Sequence, residues 1–211
     1  PLSGGTFAPP VRFKTGRLPY YLVATDLDGD GRLDLVSANR PLTAGVGQTD
    51  TISVVRNTST SGLLDSSSFA TKVDVAVGQT PTFIAIGDVD GDGRADVATS
   101  NFDGNNVSVL RNTRQPGVID ADSLAARVDF SAGSRAHAVA IVDLDGDGKR
   151  DLVVADWAGP VWVFRNTAVP GVVNAQSFAA GVEFAGGGAH MVIGDVDGDG
   201  KPDVVTADWR A

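Results

Sequence analysis

The chain has 211 residues, a formal net charge of −9, 42% hydrophobic residues and no cysteine. An acidic balance without a basic cluster argues against nucleic-acid binding, and the missing cysteines exclude a disulfide framework or a thiolate centre. No apolar run is long enough to span a bilayer as a helix.

The first element from the N-terminus is FAPPVRFKTG, starting at Phe7 and patterned like a strand. A short apolar run, YLVAT, leads into the nine-residue string DLDGDGRLD at Asp26 to Asp34, and LDLVSA leads out of it. A third strand, ISVVRNT from Ile52, and a fourth, FATKVDVAVG from Phe69, complete the unit. The same order then recurs. FIAIG, DVDGDGRAD (Asp88 to Asp96), ADVATS, VSVLRNT from Val107 and LAARVDFSAG from Leu124 make the second copy. AVAIV, DLDGDGKRD (Asp143 to Asp151), DLVVA, VWVFRNT from Val161 and FAAGVEFAGG from Phe178 make the third. The fourth holds HMVIG, DVDGDGKPD (Asp195 to Asp203) and DVVTA. These runs are short and rich in Val, Ile and Ala, so they read as buried strands, each string joining two of them as a hairpin. Four strands per unit at a period of 52 to 62 residues predict an all-β propeller of about four blades, the last incomplete, with 1–211 as one propeller or propeller segment.

Each string places Asp at positions 1, 3, 5 and 9 and Gly at 4 and 6. Carboxylates on alternate residues converge on one point only where the backbone turns tightly, which glycine permits, and Ca²⁺ takes six to eight oxygens in a flexible shell. Four calcium sites follow: Asp26, Asp28, Asp30 and Asp34; Asp88, Asp90, Asp92 and Asp96; Asp143, Asp145, Asp147 and Asp151; Asp195, Asp197, Asp199 and Asp203. The position-7 residues Arg32, Arg94, Lys149 and Lys201 are expected to add a main-chain carbonyl while their side chains point outward. An EF-hand shares the first spacings but carries Glu at position 12, which is absent here. Four Ca²⁺ would bring the formal charge to about −1, so most of the acidity has an internal use.

The pattern G-x-x-P-x-x-I-A-x-x-D-x-D-G-D-G-x-x-D, clearest from Gly78 to Asp96, resembles the FG-GAP or VCBS-type repeat. Its members include integrin α-subunit heads, propeller lectins and bacterial surface proteins. Copies three and four carry Ala136 and Gly188 where Pro19 and Pro81 stand, which bears on the turn into the first strand. The resemblance implies a calcium-binding propeller at the cell surface or outside the cell, acting in adhesion, recognition or assembly, with a glycan or surface protein as partner. The alternatives it leaves open are a self-assembling structural surface or fibre protein and the propeller portion of a polysaccharide-active enzyme. Millimolar calcium, which loops of this type need, also points outside the cell.

The first strand-like segment and the last two strands supply a fourth, a first and a second strand but no third for the final blade. Three readings follow: an excerpt of a longer propeller, a unit that self-associates through its ends, or a closed four-bladed ring with one defective blade. Val204 to Ala207 is expected to present unpaired backbone groups on one side, covered by a further part of the same polypeptide or by a strand from another copy, or in the closed ring by the N-terminal strand. Six residues after the last Asp of each loop stand Arg40, Phe102, Trp157 and Trp209, each preceded by Asn or Asp. Trp157 and Trp209 are candidate sugar-stacking residues, the competing reading being that these side chains wedge between blades. His137 and His190 begin the first strands of copies three and four; they read as an acid/base or soft-metal pair or as solvated residues at the rim of the channel. No nucleophile motif accompanies them, so no catalytic residue is assigned. The repeated Arg-Asn-Thr at 56–58, 111–113 and 165–167 reads as a strand-end turn in which Asn and Thr bond local backbone.

Overall fold

The computed structural model describes residues 9–40, 50–60, 64–157 and 159–208. All its regular structure is β. Blade one comprises β1 (Pro19–Thr25), β2 (Asp34–Asn39), β3 (Thr51–Val55) and β4 (Val73–Ala76). Blade two comprises β5 (Pro81–Gly87), β6 (Asp96–Asn101), β7 (Asn106–Leu110) and β8 (Val128–Ser131). Blade three comprises β9 (Ala136–Val142), β10 (Asp151–Asp156), β11 (Val161–Phe164) and β12 (Val182–Phe184). The last blade has β13 (His190–Gly194) and β14 (Asp203–Ala207). Blades one to three are four-stranded antiparallel meanders in sequence order, and the last is a two-stranded hairpin.

Each nine-residue string is the turn between the first two strands. Gly29 and Gly31 sit at φ 69° and 85°, and their counterparts in the other loops repeat this conformation, which a side chain at either position would strain. At the opposite end, a residue with positive φ precedes the first strand of blades one to three: Leu18, Thr80 and Arg135, at 49°, 59° and 60°. The turn into the strand is therefore the same whether Pro19, Pro81 or Ala136 follows. A register irregularity sits in the first hairpin of each of these blades, between Pro19 and Tyr21, between Pro81 and Ile84, and between Ala155 and Asp156.

The blades stack face to face, with β1 beside β5, β5 beside β9 and β9 beside β13. Alternation along each strand divides its side chains between two interfaces. Tyr21, Val23, Val36, Ala38, Ile52 and Val54 of blade one meet Ile84, Val97, Leu110 and Leu124 of blade two. Ala98, Val107, Val109 and Phe130 of blade two meet Val139, Leu152, Val154, Phe164 and Phe178 of blade three. The last interface is thinner: Ala138, Val153, Ala155 and Val161 receive only Met191 and Val204.

The segment from Phe7 does not become a strand in its described part. Residues 9–18 pair with no strand, and Phe13 instead packs edge-on against Phe69 of blade one at 4.4 Å. A fourth strand needs a third to pair with, and none of the described residues offers it one. Within the described residues β14 pairs with β13 alone, which leaves one side of Val204 to Ala207 without a strand, as expected.

The Arg-Asn-Thr asparagines knit consecutive blades. Asn112 Nδ2 donates to Ala95 O in its own blade (2.9 Å) and to Leu27 O of blade one (3.0 Å). Asn166 repeats this with Arg150 O (2.6 Å) and Val89 O of blade two (2.8 Å). Asn112→Ala strands two carbonyls at a buried site, so we expect a loss of about 2–3 kcal/mol in urea unfolding, against no more than about 1 kcal/mol for Asn57→Ala, whose Nδ2 reaches Leu33 O alone at an exposed position.

Candidate metal loops and an aromatic cluster at the opposite end

The four loops are built alike. In the first two loops the position-1 carboxylate accepts the amides of residues 5 and 6, as Asp26 does from Asp30 N (3.1 Å) and Gly31 N (2.9 Å); in the last two it accepts those of residues 4 and 6, as Asp143 does from Gly146 N (2.8 Å) and Gly148 N (2.9 Å). The position-9 carboxylate closes the unit from behind. Asp96 Oδ2 accepts Val89 N (2.9 Å) and its Oδ1 accepts Asn112 N (2.8 Å), so one side chain ties the loop to the end of the third strand. Asp34 and Asp151 repeat both bonds, to Leu27 N and Asn57 N and to Leu144 N and Asn166 N. Burial pushes Asp34 above the usual carboxylate range and Asp96 up to about 6 against these donors; neighbouring carboxylates, Asp28 for the first and Asp90 and Asp92 for the second, add to the rise.

Three carboxylates converge in each loop, with one oxygen from each lying within 4.8 Å of the others: Asp26, Asp28 and Asp34; Asp88, Asp90 and Asp96; Asp143, Asp145 and Asp151; Asp195, Asp197 and Asp199. The predicted ligand sets are thus brought together with two differences. Position 5 (Asp30, Asp92, Asp147) stands outside the cluster in the first three loops, where an arginine bridges positions 3 and 5. Arg56 donates to Asp28 Oδ2 (2.5 Å) and Asp30 Oδ2 (2.9 Å); Arg111 does the same to Asp90 and Asp92, and Arg165 to Asp145 and Asp147. At Asp30 desolvation is outweighed by the Arg32 amide and the two guanidiniums, and its carboxyl titrates below the usual range. In the last loop no described arginine approaches, and Asp199 takes the place that position 9 holds in the others, leaving Asp203 outside the cluster.

The arginine of Arg-Asn-Thr was read as part of a plain strand-end turn and is a partner of the loop. The Asn and Thr readings hold: Asn112 Oδ1 accepts Arg114 N (3.2 Å), and Thr113 Oγ1 donates to Asp122 O (2.8 Å). The position-7 side chains correct another expectation. Arg32 and Arg94 do not point outward; each pairs with its own position-5 aspartate and donates Nε to the carbonyl of Asn57 (3.1 Å) or Asn112 (2.8 Å). Lys149 reaches Ala168 O (3.1 Å). A dense carboxylate field and nearby carbonyls draw the cations inward. Lys201 is exposed, as expected.

At the opposite end of the blades, Phe102 and Trp157 follow the second strands and gather around His137. Ring centroids lie 4.6 Å from His137 to Trp157, 5.0 Å to Phe83, 5.9 Å to both Phe102 and His190, and 6.3 Å to Tyr20. Arg40 stands over the Tyr20 and Phe102 rings at 5.0 and 5.2 Å. These residues come from three blades and the last hairpin, so Phe102 and Trp157 sit where blades meet, each half-buried. Trp209 lies outside the described residues. The two histidines do meet, but only His190 is exposed; His137 is fully buried, and its Nδ1 donates to Ala189 O at 2.5 Å. Burial, with minor help from His190 and Arg40, lowers its pKa to about 4.

The blades and the acidic hairpin turns define a repeat protein of propeller-type blades. The FG-GAP-like repeat family matches residues 88–154 and 143–206, more than half of the chain, and the protein belongs to that family. Curated proteins give no match. Among solved structures the exotype rhamnogalacturonan lyase YesX is similar at 15% identity and a TM-score of 0.46, over 94% of this chain and 41% of that one. The chain thus spans less than half the length of that lyase. No helix among the described residues is long and apolar enough to cross a membrane.

His137 generates a pH test. Its depressed folded pKa means that the unfolded chain binds the proton first as pH falls, so stability is complete above about 6.5 and is lost progressively towards 4. Relative to His137→Phe, the wild type should lose about 2–3 kcal/mol over that window at constant calcium, where the loop carboxylates cancel in the comparison. Parallel pH profiles for the two proteins would refute the assignment.

Proposed function

We propose that this chain is an extracellular calcium-binding propeller module, working in adhesion, recognition or assembly, in which each loop takes one Ca²⁺. The observation that carries this reading is the charge balance around the converging carboxylates. In loop one, four aspartates face Arg32 and Arg56, leaving two negative charges; loops two and three, with Arg94 and Arg111 and with Lys149 and Arg165, leave the same. One divalent cation neutralises each of these three sites. The donors are hard oxygens, as Ca²⁺ requires, and a cation would offset the burial that pushes Asp34 and Asp96 upward. Asp26, Asp28 and Asp34 and their counterparts would be the side-chain ligands, with the position-5 aspartate and the position-7 carbonyl completing the shell.

With dissociation constants of about 0.1–1 mM, calcium at about 1 mM would stabilise the fold by about 0.4–1.4 kcal/mol per loop, or about 2–6 kcal/mol in all. Excess chelator should lower the melting temperature, and titration calorimetry should return a stoichiometry approaching four. An unchanged melt and no heat of binding would overturn the calcium reading.

For recognition, the surface supported is the cluster of Tyr20, Phe102, Trp157, Arg40 and His190, opposite the loops. Tyr20 and His190 are exposed, Trp157 is half-buried, and the combination of ring faces and polar tips suits a sugar. A glycan array should give hits that Trp157→Ala abolishes while circular dichroism shows the variant still folded, the lost packing against His137 lowering its melting temperature; retention of every hit by this variant would remove the cluster from the reading.

A further inference from the structure

The link that follows the third strand of blade two lies on the loop of blade one, and two anchors fix it there. Asn112 Nδ2 donates to Leu27 O and Gly117 N donates to Asp28 O, both at 3.0 Å. Between these anchors stands Arg114, whose own amide donates to Asn112 Oδ1 (3.2 Å). With its backbone pinned on both sides, its side chain crosses the junction and the guanidinium lies against Gly29, where an added Cβ would collide with Nη2 of Arg114. Gly29 separates Asp28 from Asp30, so this charge faces the acidic loop of a blade other than its own. Nε of Arg114 is buried without a hydrogen-bond partner, and among the described residues no carboxylate forms an ion pair with the guanidinium.

The junction between blades two and three repeats this backbone without the charge. Asn166 Nδ2 donates to Val89 O (2.8 Å), Gly171 N to Asp90 O (3.0 Å) and Ala168 N to Asn166 Oδ1 (2.8 Å), so Ala168 holds the place of Arg114. A Cβ at Gly91, the counterpart of Gly29, would meet no atom within 4 Å. The junction contains instead a cavity of about 370 Å³, whose lining includes Asp90, Gly91, Lys149, Ala168 and Pro170. Lys149 is matched at the first junction by Arg94, whose Nε donates to Asn112 O (2.8 Å). Arg150 also lines the cavity and has Ala95 as its counterpart, but it is exposed, and solvent screens its charge more than that of the partly buried Arg114.

We propose that Arg114 sets the cation affinity of loop one, acting as a resident counter-ion that makes this loop a weaker calcium site than loop two. The inference rests on the calcium reading above and adds to it an order of filling. Within its own blade, loop one keeps two negative charges; the guanidinium from blade two reduces these to one, whereas Ala168 leaves the balance of loop two as it stands. Without metal, Arg114 relieves the repulsion among Asp26, Asp28, Asp30 and Asp34. With metal, the same charge opposes the incoming cation, and its anchored backbone keeps it from withdrawing. A unit charge beside a divalent ion at a partly buried site lowers affinity by about three- to tenfold. Loop two therefore fills first as calcium rises, and loop one follows.

Calcium titrated into the full chain, with NMR following the amides of Gly31 and Gly93, reads the two loops separately, because these amides bond the position-1 carboxylates of Asp26 and Asp88 (2.9 and 2.8 Å). Arg114→Met keeps the length of the side chain and removes its charge. It should move the Gly31 midpoint to about three- to tenfold lower calcium and leave that of Gly93 within about twofold. Arg114→Lys keeps the charge and should stay near the wild type. Ala168→Arg, which has the cavity to receive it, should raise the Gly93 midpoint by a similar factor. An unmoved Gly31 midpoint in Arg114→Met, an unmoved Gly93 midpoint in Ala168→Arg, or a shift in Arg114→Lys as large as in Arg114→Met would each overturn the role of the charge while the calcium reading stands. If neither glycine responds to calcium in any of these proteins, the calcium reading itself falls, and this inference with it.

Discussion

The position-9 aspartate is the interaction on which each blade depends. Asp34, Asp96 and Asp151 are buried, and each spends one oxygen on the loop's second amide and the other on the amide of the Arg-Asn-Thr asparagine. The loop, the second strand and the end of the third strand thus meet at one carboxylate. Its burial is costly, as the raised pKa of Asp96 records, and two neutral donors do not cover that cost. The surroundings respond with guanidiniums from the third strand and from position 7, and the charge still left is what a divalent cation would complete.

This chemistry also couples neighbouring blades. The asparagine whose amide caps Asp96 sends its side chain to Leu27 O of blade one, so the residue that closes one loop also reads the position of the loop before it. A disturbance at one loop is therefore felt across an interface. The second hydrogen-bonded contact, from the glycine after the third strand to the position-3 carbonyl, reinforces the same junction. The interfaces are apolar in their middle and polar at the loop end, and the polar end fixes the register that apolar packing alone leaves loose.

Much of this was legible in the sequence because it is local. The Asp and Gly spacing in DLDGDGRLD specifies its own turn, and the runs either side are strands by length and composition; both features appear as read. What was not legible is carried by residues far apart. Arg56 lies 26 positions from Asp30, and nothing in Arg-Asn-Thr says that its arginine turns to the loop; only its fixed recurrence beside an uncompensated acidic cluster hinted at it. The position-7 arginines were placed outward because long cations on turns are usually solvated, and the carboxylate field reversed that. The segment from Phe7 carries a strand pattern, but a pattern is realised only where a partner strand exists. His137 occupies the same place as Tyr20 and Thr82 at the start of the first strand, and its burial follows from Phe83, Phe102 and Trp157 closing over it, which no single repeat reveals.

Equivalent positions allow one more comparison. Leu22, Ile84, Val139 and Met191 hold the same site on the first strand, directed at the preceding blade. Ile84 is 4% and Val139 8% exposed, whereas Leu22, with no described blade before it, is 55% exposed. On the other face Val192 matches Val23, Ala85 and Ala140, which pack toward the following blade, and it is 65% exposed. Both terminal faces therefore keep the apolar residues that the internal faces bury, and neither has exchanged them for the polar surface that caps a stacked-repeat array. The equivalent positions thus carry apolar side chains in every blade, and their burial tracks only whether a neighbouring blade among the described residues covers them.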